Sequence, residues 1–122
     1  MGLDLKLLPF DGDFNDYSFS HTILNCFRMG ELFDAIKTLE NRLGRPVGEN
    51  FSSYFGKEAE NEVYSFSETH ITPYGEELKF VLVDDLLAFK THDQVQNHWK
   101  NRAIWAYLAQ LPATNKVALY WT

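Results

Sequence analysis

Four histidines, His21, His70, His92 and His98, are the side chains best suited to metal binding or to proton transfer near neutral pH. Their spacing argues against a metal. No pair stands at the i,i+4 helical interval, and neither an H-E-x-x-H nor an H-x-E…C-x-x-C pattern occurs. His21, on the aromatic face of a strand pattern, reads as a partly buried structural histidine, and His98 as an exposed helix residue. Cys26 is the sole cysteine, which excludes an internal disulfide and a multi-cysteine zinc site. At the end of an apolar strand it reads as a small buried hydrophobe. No G-x-S-x-G, G-x-G-x-x-G or Walker A loop is present. Asp84 and Asp85 are adjacent, so they suit the charged first turn of a helix better than paired-carboxylate catalysis. No catalytic residue, metal or cofactor is therefore assigned.

Binding chemistry has more to work with. In "HWKNRAIWAYLAQLP", Lys100 and Arg102 set positive charge beside Trp99 and Trp105, and Asn101 adds an amide. Aromatic faces stack on planar ligands while cations hold anionic groups, so Lys100, Asn101, Arg102 and Trp105 form a candidate site for a nucleotide-sized anion. The competing structural reading is a core helix whose Arg stem covers apolar surface and whose head pairs with an acid. A second candidate is "VGENFSSYFGKEAENE", which is loop-like yet carries Phe51, Tyr54 and Phe55. These three either tuck onto the core or form a partner-binding surface.

Composition narrows the classes. The 122 residues suit one domain with one core. Eleven Lys and Arg against seventeen Asp and Glu give a net charge of −6, which repels a phosphate backbone and disfavours general nucleic-acid binding. The acidic groups at Asp11, Asp13 and Asp16, and at Glu58, Glu60 and Glu62, are too short for a DNA mimic and read as solvated loops and strand edges. Aromatic content of 16% is high enough to furnish both a core and a contact face. The N-terminal "MGLDLKLLPF" has no signal-type apolar run, and no stretch approaches the 20 or so apolar residues of a membrane span, so no membrane partner is expected. A reducing interior suits the single thiol.

The elements that must position these groups follow from periodicity. Leu3, Leu5 and Leu7 alternate with polar residues, predicting a strand over 3–8 that stops at Pro9. "YSFSHTILNC" is a second strand pattern. Leu32, Phe33, Ile36, Leu39 and Leu43 fall at helical spacing and predict a helix over 30–43, with Gly44 at its end and Pro46 preventing continuation. Strands are expected near 62–71 and 77–83, a short helix at "DDLLAFKTH", and a helix over 94–111 capped by Asp93. The first half of that helix is amphipathic through Val95, Trp99 and Arg102, its second half, "AIWAYLAQL", is apolar nearly all round, and burial of Trp99, Ala103, Ala106 and Leu108 is expected. "KVALYWT" closes the chain as a strand with Val117, Leu119 and Trp121 on one face. The sum is a single α+β domain over residues 1–122, an antiparallel sheet of about five strands with two main helices packed on one face.

The tetrapeptide YSFS occurs at Tyr17 and again at Tyr64. The segments that follow differ in kind, helix after the first and strand after the second, so this is not a duplication. Both copies read as strands with aromatics inward and hydroxyls on a wet outer face. Were the two neighbours, Ser18, Ser20, Ser65, Ser67 and Thr69 would line a hydroxyl patch.

The wording of "LDLKLLPF", "FSHTIL", "LFDAI" and "NRAIWAYLAQLP…KVALYW" resembles small uncharacterised proteins encoded by tailed bacteriophages and prophages. That resemblance implies a bacterial host cytoplasm and an accessory role, and it carries no catalytic residues. The leading expectation is a non-enzymatic phage accessory protein that binds a host protein or a nucleotide-like small molecule, with counter-defence as the specific role. One alternative is a small hydrolase or nuclease using dispersed His and acidic residues, which requires His21, His70 and a carboxylate to converge in a pocket. Another is a structural or assembly module, which predicts a broad exposed aromatic patch around Phe51, Tyr54 and Phe55 and no deep pocket; a homo-oligomer is a further partner expectation.

Overall fold

The computed structural model describes residues 4–10, 23–47, 53–58, 63–67 and 75–121, of which 10, 53–58 and 63–67 are described by backbone alone. In chain order the elements are β1 (Leu5–Phe10), β2 (Leu24–Asn25), α1 (Gly30–Leu43), β3 (Arg45–Pro46), β4 (Ser53–Glu58), β5 (Val63–Ser67), β6 (Lys79–Leu82), α2 (Val83–Leu87), α3 (Asp93–Gln96), α4 (Trp99–Ala109) and β7 (Lys116–Trp121). A five-stranded sheet in the order β2-β1-β7-β6-β3 is antiparallel throughout, and β4 pairs with β5 in a separate antiparallel ribbon. This is the expected α+β architecture.

Register places the core. Leu7 opposes Leu119 and Val81 opposes Val117, so Leu5, Leu7, Val81, Val117, Leu119 and Trp121 share one face. Upon it pack Leu32, Phe33, Ile36 and Leu39 of α1, Leu86 of α2, Val95 of α3, and Ile104, Trp105 and Leu108 of α4. The sheet's other face was expected to be wet and is not. Leu8, Val47, Leu78, Ala118 and Tyr120 form a second buried cluster there. The reason lies in β7, whose "VALYW" is apolar at both parities, the signature of a strand covered on both faces. Trp121 also donates its indole N–H to the buried Glu40 carboxylate at 2.7 Å, fastening the end of β7 to α1. Lys37 meets the other Glu40 oxygen at 3.3 Å, so the buried charge is paired.

Three boundaries differ from expectation for identifiable reasons. Strand β1 runs through Pro9 to Phe10. The Leu5 carbonyl accepts from the Cys26 N–H on the β2 side, and by alternation the Pro9 nitrogen faces that side too, beyond Lys6 and Leu7 where β2 pairs. A proline at such a position removes no bond from the β1–β7 ladder. The segment read as a loop around 51–58 contains strand β4, with an irregular register between Ser53 and Gly56. Its Gly and polar content had masked the strand. The first YSFS copy lies outside the described residues, and the second lies in β5, whose partner is β4.

Helix α1 spans the predicted residues, but Gly44 ends it without a left-handed turn, at φ −65°. What requires glycine is proximity: a Cβ there would sit 2.5 Å from the Glu40 carbonyl oxygen. The expected helix over 94–111 is two helices, α3 and α4, broken at Asn97 and His98. The buried stripe of α4 is Asn101, Ile104, Trp105 and Leu108, while Trp99, Ala103 and Ala106 are exposed. Alanine had suggested burial, yet its place on the outer face reflects helix propensity, which costs nothing in water. Ala106→Asp is accordingly expected to cost less than about 1 kcal/mol, whereas Leu108→Ala opens a core cavity worth about 2–5 kcal/mol. Urea unfolding of the two variants checks this ordering.

Candidate functional site

Among the described residues, the surface that combines chemistry with exposure lies where the loop after β2 meets the start of α4. Its organiser is Asn101, fully buried on the inner stripe of α4. The Asn101 Oδ1 accepts the Phe27 N–H at 2.8 Å, and Nδ2 donates to the carbonyls of Phe27 at 3.2 Å and Gln94 at 3.1 Å. One amide thus closes backbone groups of the loop and of α3 that no secondary-structure ladder reaches. Gln94 adds a second tie, its Oε1 accepting the Leu32 N–H at the start of α1 at 2.7 Å.

Helices α3 and α4 each begin on a histidine. The His92 Nδ1 accepts the Gln94 N–H at 3.0 Å, and the His98 Nδ1 accepts the Lys100 N–H at 3.1 Å. The imidazole nitrogen takes the part usually played by an Asp or Ser oxygen, so His92 rather than Asp93 caps α3.

Above this frame stand three rings. The Phe27 and His98 rings stack with centroids 3.6 Å apart and planes 8° from parallel, and the Trp99 ring continues at 5.7 Å and 27°. Trp99 is 67% exposed and Phe27 41%, an unusual cost for large aromatics held in a fixed arrangement. Three cations come from the same two segments. Arg28 is ion-paired to Asp4 at 2.7 Å, and Arg102 donates to the Gln96 carbonyl at 2.7 Å. Lys100 forms no hydrogen bond or ion pair with a described residue. Its ammonium acts on Cys26, whose thiol burial pushes up to about 12, with Lys100 offsetting part of that rise. A thiol so high is no nucleophile at neutral pH.

The residues proposed for an anion site therefore separate. Asn101 and Trp105 are buried, and the Trp105 indole N–H is spent on the Leu86 carbonyl at 2.8 Å. They position the surface from beneath. Arg102 is exposed, with its head on a backbone carbonyl rather than on an acid, and Lys100 remains the cation beside the rings. Phe51 lies outside the described residues, as do His21 and His70, and the side chains of Tyr54 and Phe55 are likewise outside them. The sequence reading missed Phe27, His98 and Trp99 as a group. One signal was available: Trp99 lies about half a turn around the helix from the Ile104–Trp105 stripe at 100° per residue, which points it away from the core.

Among the described residues no three of His, Cys, Asp and Glu gather as metal ligands would, and no helix is long and apolar enough to cross a membrane. Comparison with protein-family models, curated proteins and solved structures returned no match.

Capping and stacking by His98 are separable. His98→Ala is expected to lower stability by about 1 kcal/mol through loss of the cap, and His98→Asn to restore most of it, since an amide oxygen caps equally well. Equal urea midpoints for all three proteins would deny the cap its role.

Proposed function

We propose that this chain is a non-enzymatic binding protein whose contact surface is the Phe27–His98–Trp99 stack with Lys100 beside it, and whose partner is a host protein. The supporting observation is the pairing of high exposure with internal fixation: the rings face solvent while the atoms beneath them are hydrogen-bonded into the fold. Trp and other aromatics dominate the energetics of protein interfaces because they give large area at small rotamer cost. A surface already ordered in the free protein loses little further entropy on association. The net charge of −6 favours a protein partner over a free polyanion, with Lys100 supplying a local contact for a carboxylate or carbonyl.

Several groups that hydrolysis would call upon have other duties. The Nδ1 atoms of His92 and His98 accept backbone bonds, and the Cys26 thiol is buried and raised. This supports binding over catalysis. Within the phage resemblance, binding translates into an accessory role in the bacterial host cytoplasm, with blocking of a host defence protein as its specific form. Sequestering a nucleotide signal would use the same rings and Lys100.

The test begins with cross-linking in bacterial host lysate, identification of the captured protein, and titration of that purified protein. Trp99→Ala and Phe27→Ala are each expected to weaken binding by about 2 kcal/mol or more while leaving the melting temperature within a few degrees of the parent. Unchanged affinity for both variants would remove the stack from the interface. Tight retention of a nucleotide, lost in the same variants, would replace the protein partner by a small molecule.

A further inference from the structure

A recess of about 240 Å³, lined by none of the stacked rings, lies between the end of α1, strand β3, strand β6 and the first turn of α2. Its wall is Leu43, Phe80, Val81 and Leu82, and its two charged groups are Arg45 and Asp85. The wall is odd for a surface feature. Leu43 continues the apolar stripe of α1, yet it is 43% exposed where Leu32, Phe33, Ile36 and Leu39 are buried. Phe80 is half-buried, with the Lys116 ammonium 5.4 Å from its ring centre on an adjacent strand.

The charges are opposite and do not join each other. Arg45 is exposed, and its guanidinium makes no hydrogen bond or ion pair with a described residue. Asp85 uses Oδ2 to accept the Leu82 N–H at 3.1 Å, and its other oxygen has no partner among the described residues. A simple anion drawn to Arg45 would meet the Asp85 carboxylate, and a simple cation drawn to Asp85 would meet the guanidinium. Only a molecule carrying both charges satisfies the pair. The volume falls below the roughly 300–1,000 Å³ of pockets for drug-sized ligands, so the molecule is small.

From this geometry we infer a binding site for a small zwitterion of the amino-acid class, its carboxylate on Arg45, its ammonium on Asp85 and its apolar side chain against Leu43 and Phe80. The site is independent of the aromatic stack and of the partner proposed for it.

The test is an NMR titration of the full chain, followed at backbone amides, with free leucine and phenylalanine. Two analogues with a single charge complete the panel, phenylalanine methyl ester, which lacks the carboxylate, and 3-phenylpropionate, which lacks the ammonium. Saturable shifts centred on residues 43–45 and 80–85 are expected for the amino acids. Each analogue is expected to bind about tenfold or more weakly, the loss of one charge-assisted hydrogen bond. Arg45→Gln should bring phenylalanine down to the level of its ester. Asp85→Asn, which keeps an oxygen for the Leu82 N–H, should bring it down to the level of phenylpropionate. Trp99→Ala should change none of these values. No saturable shift with either amino acid, equal binding of an analogue, or shifts centred elsewhere would each overturn the site.

Discussion

The side-chain amide of Asn101 is the constraint on which the arrangement of this protein's helical layer turns. A buried amide is costly unless its hydrogen bonds are made, by roughly 1–3 kcal/mol on mutational scales. Here both Nδ2 protons and the Oδ1 are engaged, on Phe27 and Gln94. Because all three partners are main-chain atoms, the amide specifies where two pieces of backbone lie relative to α4, whatever their side chains. Loop 26–29 cannot slide without unpairing it, nor can α3 swing away.

That fixation has a consequence at the surface. With the Phe27 backbone held against α4, its side chain lies over the His98 ring, and His98 is itself held by capping the helix that carries Asn101. Cap, amide and stack form a short closed circuit through Phe27, His98, Lys100 and Asn101. Such a circuit keeps exposed aromatic area in one geometry, where a flexible loop would fold the same rings inward to escape water. The stabilising core sits elsewhere, in the sheet face formed by Leu7, Leu119 and Trp121 under α1 and α4. Replacing a ring at the surface therefore tests contact rather than folding.

Much of this layer was legible in the sequence, and what was not has a physical cause. Helix α1 declares itself because its burial follows a single period of 3.6, and strand β7 because its short unbroken apolar run suits a strand covered on both faces. Helix α4 does not, since its buried stripe includes Asn101 and its solvent face includes Ala103, Ala106 and Trp99, so hydrophobicity and burial part company. The break between α3 and α4 was hidden because histidine is an uncommon cap, and its Nδ1 lone pair is invisible to a search for Asp, Ser or Thr. Pro9 misled in the other direction, as its tolerance depends on its nitrogen facing away from β7. The site followed the same division: Lys100 could be named from charge beside aromatics, whereas Phe27 is brought to it by hydrogen bonds spanning 74 residues of chain.

The claim that Asn101 holds the loop is tested most directly at the Phe27 amide by native-state hydrogen exchange. This N–H sits at the edge of the fold, outside any helix or ladder, and ordinary loop amides there exchange with little protection. The account predicts that it is protected to the same degree as the amides of Trp105 and Leu108 inside α4, because releasing it requires opening that helix's contact. Exchange at Phe27 orders of magnitude faster than at Trp105 would contradict the account, showing that the loop moves freely and that the ring stack is not fixed from below.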